Sequence, residues 1–208
     1  DDMTAFKEMF FKFQKLVGLL VIPIGVAIFC FRDLITNILL GSQWVEAANF
    51  IGLWGLTSSI TIVLSHYSSE VYRSIGRPKL SFIAQLLHIV VLCPVMIIAV
   101  QYDWDVIYIA RSCVRLELVL VNLIIMQIIV KISAYDMIKN VTPSIMAALI
   151  MGIIGYIITI YTSSMWLSFI GVVICVIVYF GIISLYPTER YILKSFVKQI
   201  TKQKKKKK

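Results

Sequence analysis

Six apolar stretches, each long enough to cross a bilayer, constrain this sequence more than any other feature. A hydrocarbon core about 30 Å thick requires about 20 apolar residues of helix. Lipid offers no hydrogen-bond partner to a backbone outside a helix or a closed barrel. The stretches lack the period-two alternation of barrel strands, so the sequence predicts an all-α polytopic membrane helix bundle with six transmembrane helices. The predicted spans are 16–35, 49–72, 81–101, 106–130, 142–162 and 166–186.

The composition excludes a soluble protein. Hydrophobic residues make up 60% of the 208 residues and charged residues 15%, whereas soluble domains have about 45–50% and about 25%. A soluble domain of this size cannot bury so much apolar surface. Soluble enzymes, secreted disulfide scaffolds and disordered chains are therefore excluded. The cysteines Cys30, Cys93, Cys113 and Cys175 all lie in apolar runs, and we predict that they are small buried hydrophobic residues.

Basic residues alternate between the two sides of the predicted spans. Residues 1–15, the loop at 73–80, the loop at 131–141 and the tail from Arg190 carry three, three, two and nine Lys or Arg residues. The connections on the other side carry only Arg32. The positive-inside rule therefore predicts a multi-pass protein with both termini and the basic loops in the cytoplasm.

The predicted membrane lobe, residues 16–186, lies between two basic segments. Residues 1–15 place Phe6, Phe10 and Phe13 among lysines, which predicts a cytoplasmic interfacial helix. Residues 187–208 form a basic cytoplasmic tail that ends in the run Lys204–Lys208. This run suits anionic membrane lipids or is a solvated tail without a specific role. No aromatic platform accompanies it, so nucleic acid is not an expected partner.

Charged residues inside a span are costly and mark functional sites. Arg111, Arg115 and Asn122 lie on one face of the fourth predicted helix. They predict either a cationic patch that lines a substrate cavity and receives an anionic ligand, or a structural role as an interhelical ion pair or an arginine satisfied by carbonyl groups. Glu117 lies nearly opposite Arg115 on the helix, so we do not expect these two residues to pair.

A second polar face lies on the second predicted helix, where His66, Glu70 and Arg73 are close in helical phase. Glu70 and Arg73 are expected to form an ion pair near the cytoplasmic end. His66 and His88 lie at similar depths on neighbouring helices. With Glu70 they form a possible proton relay, although two lone histidines are also common as core residues. No third ligand for a metal accompanies them, and the sequence contains no catalytic motif.

Two local features of the fifth span concern its start and its packing. Pro143 follows Thr142 and is predicted in the first helical turn, where a proline costs no hydrogen bond. Ala148, Gly152 and Gly155 form a face of small residues that predicts close helix packing.

Three short segments, in this order and spacing, resemble motifs of one transporter family. They are Leu40-Gly41-Ser42-Gln43-Trp44 with Ala47-Ala48, the loop Tyr72-Arg73-Ser74-Ile75-Gly76-Arg77-Pro78-Lys79, and Pro143 with Ala147-Ala148 and Met151. The family is that of the bacterial lipopolysaccharide, O-antigen and exopolysaccharide export flippases, within the multidrug/oligosaccharidyl-lipid/polysaccharide superfamily.

The resemblance implies a transporter of the bacterial inner membrane without enzymatic activity or cofactor. Its substrate would be an undecaprenyl-diphosphate-linked oligosaccharide. The chain would be the C-terminal portion of a two-lobed protein, and the missing N-terminal lobe of the same chain would be its partner. The alternatives are a drug/cation antiporter, which needs intramembrane carboxylates, a polysaccharide polymerase or ligase, which needs a large outer loop, and a scaffold with paired arginines.

Overall fold

The chain is a bundle of six long helices. The computed structural model describes residues 2–162, 164–193 and 195, and six helical segments are long and apolar enough to cross a membrane. This confirms the predicted all-α polytopic bundle. The helices are α1 (Asp2–Cys30), α2 (Arg32–Leu39), α3 (Ala48–Thr61), α4 (Tyr67–Ser74), α5 (Lys79–Ala99), α6 (Trp104–Ile125), α7 (Ala134–Tyr161) and α8 (Met165–Ile183).

Two of the spans contain a π-helical turn, which widens the helix locally without ending it. Ile62–His66 joins α3 to α4, and Met126–Val130 extends α6. The second turn ends at Lys131, which has a left-handed backbone with φ of 59°. Such turns are rare and occur often at functional sites.

The first helix continues through the segment that was predicted to be interfacial. Residues 1–15 and the first span form one helix from Asp2 to Cys30 because no residue in this region caps or breaks it. Phe10 and Gln14 are buried against neighbouring helices. The first part of α1 therefore contributes to the bundle core, and its contact with the membrane surface stays a prediction. The lysines from Lys198 onward lie outside the described residues.

The fifth span starts earlier than predicted. Helix α7 begins at Ala134, where the Ser133 hydroxyl accepts a hydrogen bond from the Asp136 amide. Pro143 lies inside α7, so its predicted position in the first turn was wrong. A cap formed by Ser133 and Asp136 is a stronger start signal than a proline nine residues after the first residue of the helix.

The order of the spans in space differs from their order in the chain. Helix α1 packs against α3 and α7, α3 packs against α6, α6 against α5, and α7 against α8. From one side of the bundle to the other, the spans therefore lie in the order α8, α7, α1, α3, α6, α5. The second, third and fourth spans enclose one end of this arrangement, away from α7 and α8.

Small residues allow the close contacts that set this order. A side-chain carbon at Gly55 would lie 2.5 Å from Ile28 Cγ2 of α1, and one at Gly152 would lie 2.8 Å from Val26 Cγ1. Ala148 is fully buried, and Gly155 packs against Cys175 of α8. The predicted small-residue face of the fifth span is confirmed as the surface on which α1 and α8 pack.

The cysteines do not all have the predicted burial. Cys30 and Cys175 are buried, but Cys93 and Cys113 are exposed on the helix surfaces. The prediction was wrong for the last two because an apolar run marks a helix that enters lipid and does not show which of its faces packs against protein. All four thiols are free.

Exposed aromatic residues and exposed cations lie at the ends of the bundle. Large aromatic residues are exposed beside the connections that were predicted to be outside, as in a membrane-interface belt. They are Trp44, Tyr102, Trp104, Tyr161 and Trp166. The connections at the opposite end carry exposed cations, which are Arg73, Arg77, Lys79, Lys131 and Lys139.

We predict the orientation by cysteine labelling, in a variant whose four native cysteines are replaced by Ala. Asp103→Cys and Ser164→Cys should react with an impermeant thiol reagent added to intact cells. Lys79→Cys and Lys139→Cys should react only after the membrane is permeabilised, because the positive-inside rule predicts that their connections are cytoplasmic. The reverse labelling pattern would contradict the predicted topology.

Candidate functional site

A polar cavity of about 420 Å³ lies between α3–α4, α5 and α6. Its wall combines the two polar faces predicted from the sequence, because the second and fourth spans pack in parallel with these faces toward each other. The lining residues are Trp54, Ser65, His66, Ser69, Glu70, Ser81, Ala84, Gln85, His88, Arg111, Arg115, Leu118 and Asn122.

All six residues that were nominated from the sequence lie in this wall. They are Arg111, Arg115, Asn122, His66, His88 and Glu70. The helical phase of the three α6 residues is therefore as expected, and the three candidates for a proton relay lie on the same cavity. Their roles in binding or proton transfer stay predictions, since no ligand is present.

Arg115 is held by a hydroxyl and by an aromatic ring. Its Nη1 donates a hydrogen bond of 2.7 Å to Ser58 Oγ of α3. Its guanidinium carbon lies 4.1 Å from the centre of the Trp54 ring, which is a cation–π contact. These two contacts keep the side chain in place and leave its charge uncompensated.

Arg111 lies one helical turn away and shares the same ring. Its guanidinium carbon is 4.9 Å from the Trp54 ring centre, and its buried Nη1 has no hydrogen-bond partner. Among the described residues, no carboxylate lies within ion-pair distance of Arg111 or Arg115. Of the two alternatives predicted from the sequence, the geometry favours the cationic patch over the structural ion pair.

Asn122 crosslinks three segments of the bundle. Its Nδ2 donates to Ser65 Oγ in the π-helical turn at 2.8 Å, and its Oδ1 accepts from the Tyr72 hydroxyl of α4 at 3.0 Å. The same amide nitrogen donates to the Leu118 carbonyl at 2.9 Å. With the side chain buried and its amide in use, Asn122 holds the cavity wall together.

His88 forms the one pair between a histidine and a carboxylate in the described part of the chain. Its Nδ1 lies 3.0 Å from Glu117 Oε2, across the contact between α5 and α6. His66 lines the same cavity, but the partner of His88 is Glu117. Glu117 faces away from Arg115, as predicted, and this orientation is what brings it to α5.

Glu70 lies at the edge of the cavity that is predicted to face the cytoplasm. Arg73 Nη1 is 3.3 Å from Glu70 Oε1, and both side chains are about two-thirds exposed, at 66% and 68%. The predicted pair between residues three apart on the helix is confirmed. An exposed pair of this kind contributes little stability, so Glu70 remains available to a ligand or a proton at the cavity entrance.

Three residues of the site were not nominated from the sequence, namely Trp54, Ser58 and Glu117. Tryptophan and serine on an apolar helix carry no charge, so only the spatial partner shows their role. The contact of Glu117 with His88 could have been predicted from the sequence. It and His88 lie at comparable distances from the connection between α5 and α6, which places them opposite each other in an antiparallel hairpin.

The cavity wall carries groups that can bind an anion. Within the described residues, no group of three His, Cys, Asp or Glu side chains is positioned to hold a metal ion. Two guanidinium groups on one face present forked N–H donors, which suit phosphate oxygens. The electrostatics of the wall therefore favour a phosphate-bearing ligand.

We predict that Asn122→Leu destabilises the bundle. The substitution leaves Ser65 and Tyr72 without their partner, which costs about 1 kcal/mol. For a chain of this size the melting temperature should fall by roughly 2–4 °C, measured by thermal unfolding of the purified protein in detergent. Asn37→Leu, at an exposed position on α2, is the control and should melt within 1 °C of the unsubstituted protein. Equal melting temperatures of the two variants would contradict the crosslink.

Comparison with known proteins gives one match. A family model described as "Polysaccharide biosynthesis protein" matches residues 1–49, which comprise α1, α2 and the start of α3. No curated protein and no solved structure matches the chain. The matched part does not include the cavity. It supports a multi-pass membrane protein that is involved in polysaccharide synthesis or export.

Proposed function

We propose that this chain is one lobe of a flippase that moves undecaprenyl-diphosphate-linked oligosaccharide across the bacterial cytoplasmic membrane. One observation carries the proposal: two arginines line a cavity within the spans, and no carboxylate of the described residues neutralises them. The similarity of residues 1–49 to polysaccharide biosynthesis proteins supports the same substrate class. Transport without chemical change of the substrate, and so without enzymatic activity, is part of the proposal.

The diphosphate of such a substrate complements the arginines. Each phosphate can accept two hydrogen bonds from one guanidinium, and the buried Nη1 of Arg111 has a free donor for this purpose. Inside the membrane an uncompensated guanidinium is unfavourable, so an arriving anion removes a cost that the empty cavity carries. The isoprenoid tail stays in the bilayer beside the lobe.

Movement across the membrane requires a second lobe. In transporters of this kind, the site opens alternately to the two sides when one bundle rocks against another. We propose that the N-terminal lobe of the same protein, which the resemblance implies, covers the cavity side formed by α3, α5 and α6. The π-helical turns beside the cavity provide places where α3–α4 and α6 can bend.

Proton coupling is a second part of the proposal. His66, His88 and Glu70 line the cavity, and Glu117 joins them through its contact with His88. Imidazole and carboxylate groups in contact can exchange a proton between two conformations of the lobe. The same pair is the observation that favours the alternative function, a drug/cation antiporter, which would bind its coupling cation at Glu117.

We predict that Arg115→Ala reduces polysaccharide export and leaves the amount of protein in the membrane unchanged. The substitution removes a side chain that is proposed to bind phosphate. It leaves no carboxylate without its ion-pair partner, since Arg115 has no acidic partner among the described residues. Arg115→Lys should restore export only in part, because an ammonium group keeps the charge but lacks the fork that binds two oxygens. Surface polysaccharide and membrane protein level are measured in the same cells.

Arg190→Ala, at an exposed position after α8, is the matched control and should export normally. Loss of the Arg115→Ala protein from the membrane would indicate a structural role instead. Normal export at normal protein level would remove Arg115 from the mechanism. Unchanged export together with lost resistance to cationic drugs would favour the antiporter.

A further inference from the structure

Four aromatic rings form a continuous series along the contact between α3 and α6. The ring centres of Trp54 and Phe50 on α3 are 5.5 Å apart, and Phe50 lies 6.2 Å from Trp104 on α6. Trp104 lies 6.3 Å from Tyr108. All these distances are within the range of aromatic contacts. We call these four residues the aromatic track.

The aromatic track begins at the arginines. Both guanidinium groups lie over Trp54, at 4.9 Å for Arg111 and 4.1 Å for Arg115. On α6 the residues Trp104, Tyr108, Arg111 and Arg115 follow at spacings of four, three and four, which places them on one helical face. A single stripe therefore runs from the exposed end of α6 at Trp104 into the charged cavity.

The rings of the track have accessible surface. Trp104 is 53% exposed, and Phe50, Trp54 and Tyr108 are partly exposed. A purely structural cluster of large aromatic rings would be expected to be buried, as Tyr72 and Tyr179 are in this bundle. A lipid anchor at the interface accounts for Trp104 alone, because Trp54 lies inside the span and lines the cavity.

We propose that the aromatic track is a binding surface for the sugar rings of the glycan, and this inference rests on the proposed function. One face of a pyranose ring presents C–H groups and is apolar, so it packs on an aromatic face. A glycan whose diphosphate is held by Arg111 and Arg115 extends along the track toward Trp104. Every pyranose has such a face, so the track binds glycans of different composition without specific hydrogen bonds to their hydroxyl groups.

The track is tested with the full chain, purified and placed in lipid nanodiscs. Two probes separate binding of the diphosphate at the arginines from binding of sugar at the aromatic track. They are geranyl diphosphate, which has no sugar, and geranyl diphosphate linked to a linear trihexose. The variants are Phe50→Leu and Trp104→Leu. Trp166→Leu, which replaces a tryptophan 80% exposed on α8 and outside the track, is the matched control.

Each track variant should weaken binding of the trihexose probe about two- to tenfold, the size of one ring contact. Binding of geranyl diphosphate should stay unchanged, as should both affinities of Trp166→Leu. Arg115→Ala should weaken both probes. The melting temperature of every variant is measured beside the affinities, so that a packing defect is recognised.

The outcomes separate the inference from the proposed function. If both track variants bind the trihexose probe like the control, while Arg115→Ala weakens both probes, the track is overturned and the proposed function stands. Equal weakening of both probes with a lower melting temperature assigns the rings to packing and also overturns the track. If the unsubstituted chain binds neither probe, or Arg115→Ala changes neither affinity, the proposed function fails and the track with it.

Discussion

A lipid surrounding admits polar side chains only where protein covers them, and the arrangement of this bundle follows from that constraint. Backbone groups are satisfied within the six helices, so the side chains of α3, α4, α5 and α6 that carry charge or amides need another place. Among them Glu70, Gln85, Arg111, Arg115 and Asn122 line one cavity of about 420 Å³. The spans α1, α7 and α8 pack through small and apolar residues together with hydrogen bonds such as that from Asn140 to Gln14, and they support this wall from one side.

Cations at different depths of the bundle have different contact partners. At the end that is predicted to be cytoplasmic, Lys15 pairs with the buried Glu189 at 3.1 Å, and Arg73 pairs with Glu70. Within the described residues, Arg111 and Arg115 have no such partner and rest on Trp54 and Ser58 instead. An ion pair would have neutralised them, whereas a ring and a hydroxyl hold them and leave the charge available. This difference is the physical basis of the proposed anion site.

The cavity wall is also connected to the parts of the helices that depart from regular α geometry. Asn122 ties α6 to Ser65 in the π-helical turn and to Tyr72 in α4, while Glu117 ties α6 to α5 through His88. In the proposed transport cycle, a change of ligand or proton at the wall would reach the π-helical turn Ile62–His66 through Asn122. Transport by rocking of a lobe requires a connection of this kind.

The sequence alone determined the number and type of the spans, because a length of about 20 apolar residues is a local property that the bilayer demands. It also determined that Arg111, Arg115 and Asn122 share a face, since helical periodicity is fixed within one segment. The start of α7 was misplaced because a cap at Ser133 and a proline at Pro143 are competing local signals. The exposure of Cys93 and Cys113 was missed because apolar composition does not distinguish lipid from protein.

Only the tertiary structure decided which side chains meet across helices. The contacts of Arg115 with Ser58 and Trp54, and of His88 with Glu117, join segments that are far apart in the chain. Such pairs depend on the relative rotation and depth of two helices. Those are set by close contacts at positions such as Gly55 and Gly152, and no single helix encodes them. The order in which the spans pack is a collective property, and the character of the cavity follows from it.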